Sequence, residues 1–234
     1  MGTHPNVPSL LAGSFQLLQD AISENPADFL SSSVVSRYGA TLPFLFKVLS
    51  IRKALSIQAH PDKQLAERLH TGRPDVYKDN NHKPEMACAL TEFEALVGFR
   101  PLNEIRDFLN RYDELREVVG ESCSSVFIKS IGEKDISEVQ QKGILRDLFG
   151  SLMSSEPDKI SSSLQKLLNN NADSGDSIIK LIRRLNIQFP NDVGCFCAFL
   201  LNYVVLSPGD AIYLGANEPH AYLSGGTYPF AHWF

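Results

Sequence analysis

Four side chains in three short segments could together hold a metal. Gln58 and His60 lie in Ser56-Ile57-Gln58-Ala59-His60-Pro61, Glu85 closes Asn81-His82-Lys83-Pro84-Glu85, and His220 closes Asn217-Glu218-Pro219-His220. They offer two imidazoles, a carboxylate and an amide oxygen, a mixed nitrogen and oxygen set suited to a divalent transition metal. No segment is a metal signature alone, so the grouping depends on the elements that carry the side chains.

Strand parity supplies that grouping. From Lys53 to His60 the chain alternates, with Ser56, Gln58 and His60 on one face and Leu55, Ile57 and Ala59 on the other, the pattern of a half-buried strand. Lys83 and Glu85 share a face if Pro84 begins a strand, where its missing N–H is tolerated. Pro219 stiffens the chain before His220, after a strand-like run from Ala211 to Leu214.

The surrounding chain reads as a mixed α+β protein. Strand-like apolar runs such as Leu42 to Leu49 fill residues 40 to 100 between loops rich in Gly, Pro, Asn and Asp. Helical spacing then takes over in four runs: Ile105 to Leu115, Ile144 to Leu152, Ile160 to Leu168 and Ile178 to Leu185. The charged stretch Asp107 to Glu117 reads as a solvated helix face. Ser154 to Pro157 and Asn169 to Asp176 are turn-rich breaks between helices.

Strand character returns from Cys195 to Leu206, and Ser207-Pro208-Gly209-Asp210 reads as a hairpin turn before Ala211. The expected domains are residues 1–101 and 189–234 of one β-sandwich or barrel, interrupted by a helical insertion over 102–188. No ligand set lies in that insertion, so it is expected to sit away from the chemistry. Arg183 and Arg184 are its residues to watch, because an anionic substrate must be held by something.

The 234-residue chain is 43% hydrophobic with a formal net charge of -5. It can build a real core and has no general electrostatic footprint for nucleic acid or an anionic membrane. No run nears the roughly 18 apolar residues of a membrane span, and the N-terminus lacks the pattern of a secretory signal. A cytoplasmic monomer with a small-molecule partner is expected. Cys88, Cys123, Cys195 and Cys197 lack disulfide or zinc-ribbon spacing and read as buried free thiols. His4, His70 and His232 take structural or surface roles.

The runs SIQAHPDK, DNNHKPEMACALTEFEALVGFRP and GANEPHAYLSG resemble those of the type I phosphomannose isomerases. Met1 to Pro5 is also similar to a family segment, and the resemblance extends to about Gly225. It implies a cupin-like β-barrel with metal ligands converging inside it, and one Zn2+ per chain on Gln58, His60, Glu85 and His220. It also implies interconversion of mannose 6-phosphate and fructose 6-phosphate, in the supply of GDP-mannose. Family members are expected to carry strands before the position of Met1 and, after Gly225, an arginine that closes the site. Here residues 226–234 read GTYPFAHWF, an atypical ending in which that arginine has no counterpart. Activity far below that of a full-length member and a tendency to aggregate are the expected consequences.

Glu85 as sole anionic ligand would leave the ion a net positive charge, and therefore Lewis acidic. Aldose–ketose isomerisation needs that electrophile, because proton removal beside a carbonyl builds negative charge on oxygen. Lys83 is the candidate for moving the proton or stabilising the anion. Ser56 could hydrogen-bond substrate, and His82 could assist ring opening. Two other readings stand beside this one: an inactive metal- or sugar-binding module, and a cupin oxygenase using Fe(II) on two histidines and a carboxylate. Gln58 as fourth ligand argues against iron.

Overall fold

The computed structural model describes residues 2–3, 8–77, 82–132 and 136–232, and of residues 230–232 the backbone. Helices α1 (Leu18–Glu24), α2 (Pro26–Phe29) and α3 (Ser32–Tyr38) precede strands β1 (Phe44–Phe46) and β2 (Leu49–Ile51). Helix α4 (Lys63–Gly72) then leads to β3 (Glu85–Ala89) and β4 (Phe93–Phe99). A helical run follows: α5 (Leu102–Arg111), α6 (Asp113–Val119), α7 (Glu121–Gly132), α8 (Glu138–Met153), α9 (Pro157–Asn170), α10 (Ser177–Gln188) and the short α11 (Gly194–Cys197). Strands β5 (Leu201–Leu206), β6 (Ala211–Leu214) and β7 (His220–His232) come after it.

The antiparallel sheet is built on β7. On one edge the chain from Phe44 to Gln58 runs beside it: β1 pairs with Phe230 to His232, β2 with Gly225 to Thr227, and Gln58 opposes His220. On the other edge β3 pairs with Thr227 to Ala231 and β4 with His220 to Ser224. Strands β5 and β6 lie outside β4 and β3 in the same way. Each flanking ribbon is thus one path along β7 that breaks partway and resumes in the same direction.

The breaks line up because the sheet bends there. Gly225 has φ 103, and a Cβ on it would lie 2.2 Å from the Glu92 carbonyl oxygen and 2.8 Å from Phe93 Cα. Only glycine meets both demands. At the same level Leu90 N–H donates to the Gly226 carbonyl (2.8 Å), and Gly209 N–H donates to that of Ala89 (2.9 Å). Ser207 to Asp210 is therefore not the expected hairpin turn. It carries one ribbon around the corner, so β5 and β6 continue alongside β4 and β3 instead of pairing with each other. The result is the curled, cupin-like half-barrel expected, with Ile51, Ala87, Phe93, Leu214 and Tyr222 in the core within the bend.

The helices pack on the opposite face of the β4–β5 half, sharing a core with Leu96, Leu201, Ala221 and Leu223. Fully buried Leu109, Leu115, Leu148 and Leu164 contribute about 1.5–3 kcal/mol each. Among the described residues, six helices span Leu102 to Gln188 where four were expected. The first splits at Tyr112, whose hydroxyl donates to Asp176 (2.9 Å), and α7 was not among the expected runs. Glu114, assigned to a solvated face, is buried and accepts from Asn170 (2.6 Å).

Two strand assignments also change. Cys195 to Leu200 is a helical turn and bend, with strand only from Leu201. Every residue from Cys195 to Leu201 is at most 1% exposed, and a run buried on all sides carries no period to distinguish helix from strand. Lys53 to His60 is extended but makes only intermittent bonds to β7, and Leu55 and Ala59 are exposed instead of forming a buried row. Cys195 and Cys197 are buried free thiols, whereas Cys88 and Cys123 are half-buried.

Candidate metal centre

Fully extended, the eleven-residue interval between His220 and Ala231 would measure roughly 35 Å. Glu85 pairs with Ala231, yet its Oε2 lies 3.9 Å from His220 Nε2, because the bend folds one half of the sheet over the other. Pro84, buried and without an N–H, delivers Glu85 to the first position of β3. His60 arrives from the other edge, its Nε2 3.1 Å from Glu85 Oε1. One ligand atom from each of His60, Glu85 and His220 lies within 4.8 Å of the others. Atoms about 2 Å from one shared ion stand roughly 3–4 Å apart, so this donor set fits a metal with little adjustment.

Gln58 belongs beside them. It exchanges both backbone hydrogen bonds with His220, each 2.8 Å, which sets the two side chains about 5 Å apart on one face. His220 Nδ1 lies 2.9 Å from the Glu218 carbonyl oxygen. That oxygen can only accept, so Nδ1 carries a proton and Nε2 is the ring nitrogen that faces Glu85. Tyr222 donates to Glu85 Oε2 (2.8 Å). Burial works against ionising Glu85, but the hydrogen bonds from His60 and Tyr222 and the charge of the imidazoles hold it below the ordinary carboxylate range. Burial beside that carboxylate pushes the Tyr222 phenol up.

These groups line a cleft of about 410 Å³ together with Ser56, Lys83 and Lys47, and with apolar Leu45, Leu49, Leu55 and Pro229. Six residues singled out from the sequence, Ser56, Gln58, His60, Lys83, Glu85 and His220, therefore share one space. His82 is not in the lining, and its Nδ1 is buried with no hydrogen-bond partner among the described residues. Arg183 and Arg184 are elsewhere: the first donates to the carbonyls of Leu168 and Asn171, the second to Glu94. His70 contacts the Tyr77 carbonyl. His4, Asn81 and the side chain of His232 lie outside the described residues.

Sequence reasoning missed Tyr222 and Lys47. Tyr222 was within reach of it, since a strand residue two beyond His220 shares its face. Lys47 left a fainter trace as the lone cation in the run Leu42 to Leu49.

A rolled antiparallel sheet, interrupted by a helical insertion and gathering two histidines and a carboxylate into its cleft, places the chain in the cupin-like class. Residues 1–102 match the profile of the phosphomannose isomerase type I catalytic domain, and residues 118–201 that of the same family's helical insertion domain. The chain belongs to the type I phosphomannose isomerase family. Mannose-6-phosphate isomerase of Saccharomyces cerevisiae is 48% identical across 96% of this chain and 55% of its own length. Mannose-6-phosphate isomerase 1 of Arabidopsis thaliana is 47% identical across 96% and 53%. A crystal structure of mannose 6-phosphate isomerase bound with zinc and yttrium superposes with TM-score 0.85 at 33% identity, covering 99% of this chain and 58% of that one. The chain thus spans about half the length of the curated relatives it matches. Among the described residues, no helix is long and apolar enough to cross a membrane.

Proposed function

We propose that this site holds one zinc ion through Gln58, His60, Glu85 and His220 and serves the interconversion of mannose 6-phosphate and fructose 6-phosphate. The observation that carries the reading is the convergence of three ligand atoms within 4.8 Å in a cleft that also contains two lysines. Bound there, zinc would supply Lewis acidity toward substrate oxygens. Lys83, beside Glu85 in the chain, moves the proton between C1 and C2 or stabilises the negative charge that its removal creates. Ser56 donates to a sugar or phosphate oxygen, and Lys47 adds positive charge for an anionic substrate. Leu45, Leu49 and Leu55 keep bulk water from the reacting carbons.

Two finer points belong to the same proposal. No arginine lines the cleft among the described residues, and losing one charge-stabilising donor typically costs about 10²- to 10³-fold in rate. A cleft so lined is therefore expected to turn over more slowly than one that carries such a donor. The product would feed GDP-mannose synthesis in the cytoplasm, from a monomer with no nucleic-acid or membrane partner, consistent with the net charge of -5. The family match disfavours the Fe(II) oxygenase and inactive-module readings.

The test is zinc content by mass spectrometry beside a coupled assay with mannose 6-phosphate. One zinc per chain is expected, lost in both His60→Ala and Glu85→Ala. Full zinc in both variants would sink the ligand assignment, and zinc without any turnover would leave only a metal-binding module.

A further inference from the structure

His60 and His220 enter the cleft from segments far apart in sequence, and a residue on neither ligand's side chain ties those segments together. Asn217, in the loop before His220, donates its backbone N–H to the carbonyl of His60 itself (2.7 Å). Its Nδ2 donates to Asp62 Oδ2 (2.8 Å), and its Oδ1 accepts from the Asp62 N–H (3.3 Å). The other oxygen of Asp62 accepts from Leu65 N–H (2.8 Å), capping α4. One end of the pair is thereby anchored on a helix and the other on the loop. Asn217 holds φ 64, a left-handed backbone that asparagine adopts more readily than other side-chain-bearing residues.

Neither side chain lines the cleft. Asn217 is exposed and Asp62 half-buried, so their mutual bonds contribute little to global stability. What they do set is geometry. The chain from Asn217 to His220 contains the stiff Pro219, and the chain from Asp62 back to His60 contains Pro61. Two short tethers, each rigidified by proline, run from the pair to the two imidazoles.

We propose that Asn217 and Asp62 form a positioning pair that fixes the separation of His60 and His220 and thereby sets the site's affinity for a divalent metal. The proposal rests on reading those histidines as metal ligands. Outer groups that orient ligands typically account for about 10- to 100-fold in metal affinity. That fall is expected here without a matching loss of fold.

Competition between the protein and a chromophoric chelator for zinc at neutral pH gives the affinity. Thermal unfolding of the metal-free protein gives the fold. Asn217→Gly keeps the left-handed backbone and deletes the side chain; zinc affinity is expected to fall about 10- to 100-fold with the unfolding midpoint unchanged. Asn217→Asp opposes two carboxylates and is expected to weaken zinc as well. The exchange Asp62→Asn with Asn217→Asp restores every donor and acceptor: the carboxylate moved to the loop accepts from both the backbone and the side-chain amide of position 62, and the amide oxygen moved to position 62 still caps α4. It is expected to return affinity to the parent value. Undiminished affinity in Asn217→Gly overturns the proposal. So does a fall in affinity that only parallels a fall in midpoint and that the exchange does not recover. His60→Ala separates the two levels: if it also keeps zinc, the ligand reading has failed, and if it alone loses zinc, only the positioning pair has.

Discussion

Replacing Glu94 with glutamine tests how the helical insertion is held to the sheet. Glu94 on β4 accepts from Arg184 of α10 (2.6 Å), from Tyr203 of β5 and from Ser224 of β7. Three elements therefore meet on one carboxylate that is only 12% exposed. A hydrogen bond to a charged group contributes about 1.5–3 kcal/mol and a neutral one about 0.5–1.5, so neutralising Glu94 weakens the two hydroxyl bonds by about 1 kcal/mol each. Arg184 is 39% exposed, and solvent screening limits its share to about 0–1 kcal/mol. The expected loss at pH 7 is about 2–3 kcal/mol in urea unfolding.

The pH dependence follows from the same contacts. Burial alone would raise the Glu94 carboxyl, but the bonds from Arg184, Ser224 and Tyr203 outweigh it and hold the group below its ordinary value of 4.5. A carboxyl depressed in the folded state contributes stability that is present above its unfolded pKa and lost as pH falls through the folded one. The gap between parent and Glu94→Gln should stay level from pH 7 to about 5 and close below about 4.5. Urea titrations at several pH values read both numbers. A gap that is the same at low and neutral pH would refute the reasoning, because it would come from packing and not from charge.

Gly225→Ala should cost about 3 kcal/mol or more, combining a strained backbone with overlap on Glu92 and Phe93; a urea midpoint close to the parent's would show that the bend can relax. Tyr222→Phe removes the 2.8 Å donor to Glu85 and is expected to weaken zinc about 10-fold in chelator competition. Unchanged affinity would mean that Glu85 is oriented without it. Burial pushes the thiols of Cys195 and Cys197 up to about 12. Alkylation of the native protein at pH 8 should therefore reach at most Cys88 and Cys123, with peptide mass spectrometry to show whether the buried pair reacts.

The candidate site was legible because its information is local. Gln58 and His60, or Lys83 and Glu85, lie within two residues of each other, although the alternation expected from Lys53 to His60 does not hold, since Leu55 lines the same cleft as Ser56. What parity could not show is why Glu85 and His220 meet, since that depends on Gly225 crossing under Glu92 and Phe93 from far along the chain. The Ser207 to Asp210 turn was misread for the same reason: its residues favour a tight reversal, and only the ribbon beside it reveals that the chain rounds a corner. The Cys195 to Leu201 segment failed differently, because burial on every side erases the polar half of the pattern.

The position of β7 governs the order in which this protein can be made. Its partners Phe44 to Ile51 and Glu85 to Phe99 are synthesised early, whereas β7 follows every other described element. At about 5–20 residues per second, His60 waits roughly 10–30 s for His220. During that interval the two flanking ribbons have no central strand, while the helices between them can form through local contacts. Ribosome-stalled chains ending before β7 should accordingly resist protease in the helical block and be cut between Phe44 and Gln58; protection of that ribbon would show that it finds another partner. The nascent β-half is therefore an open seam until β7 is made, and the strand that closes it brings His220 to His60 and Glu85 in the same event.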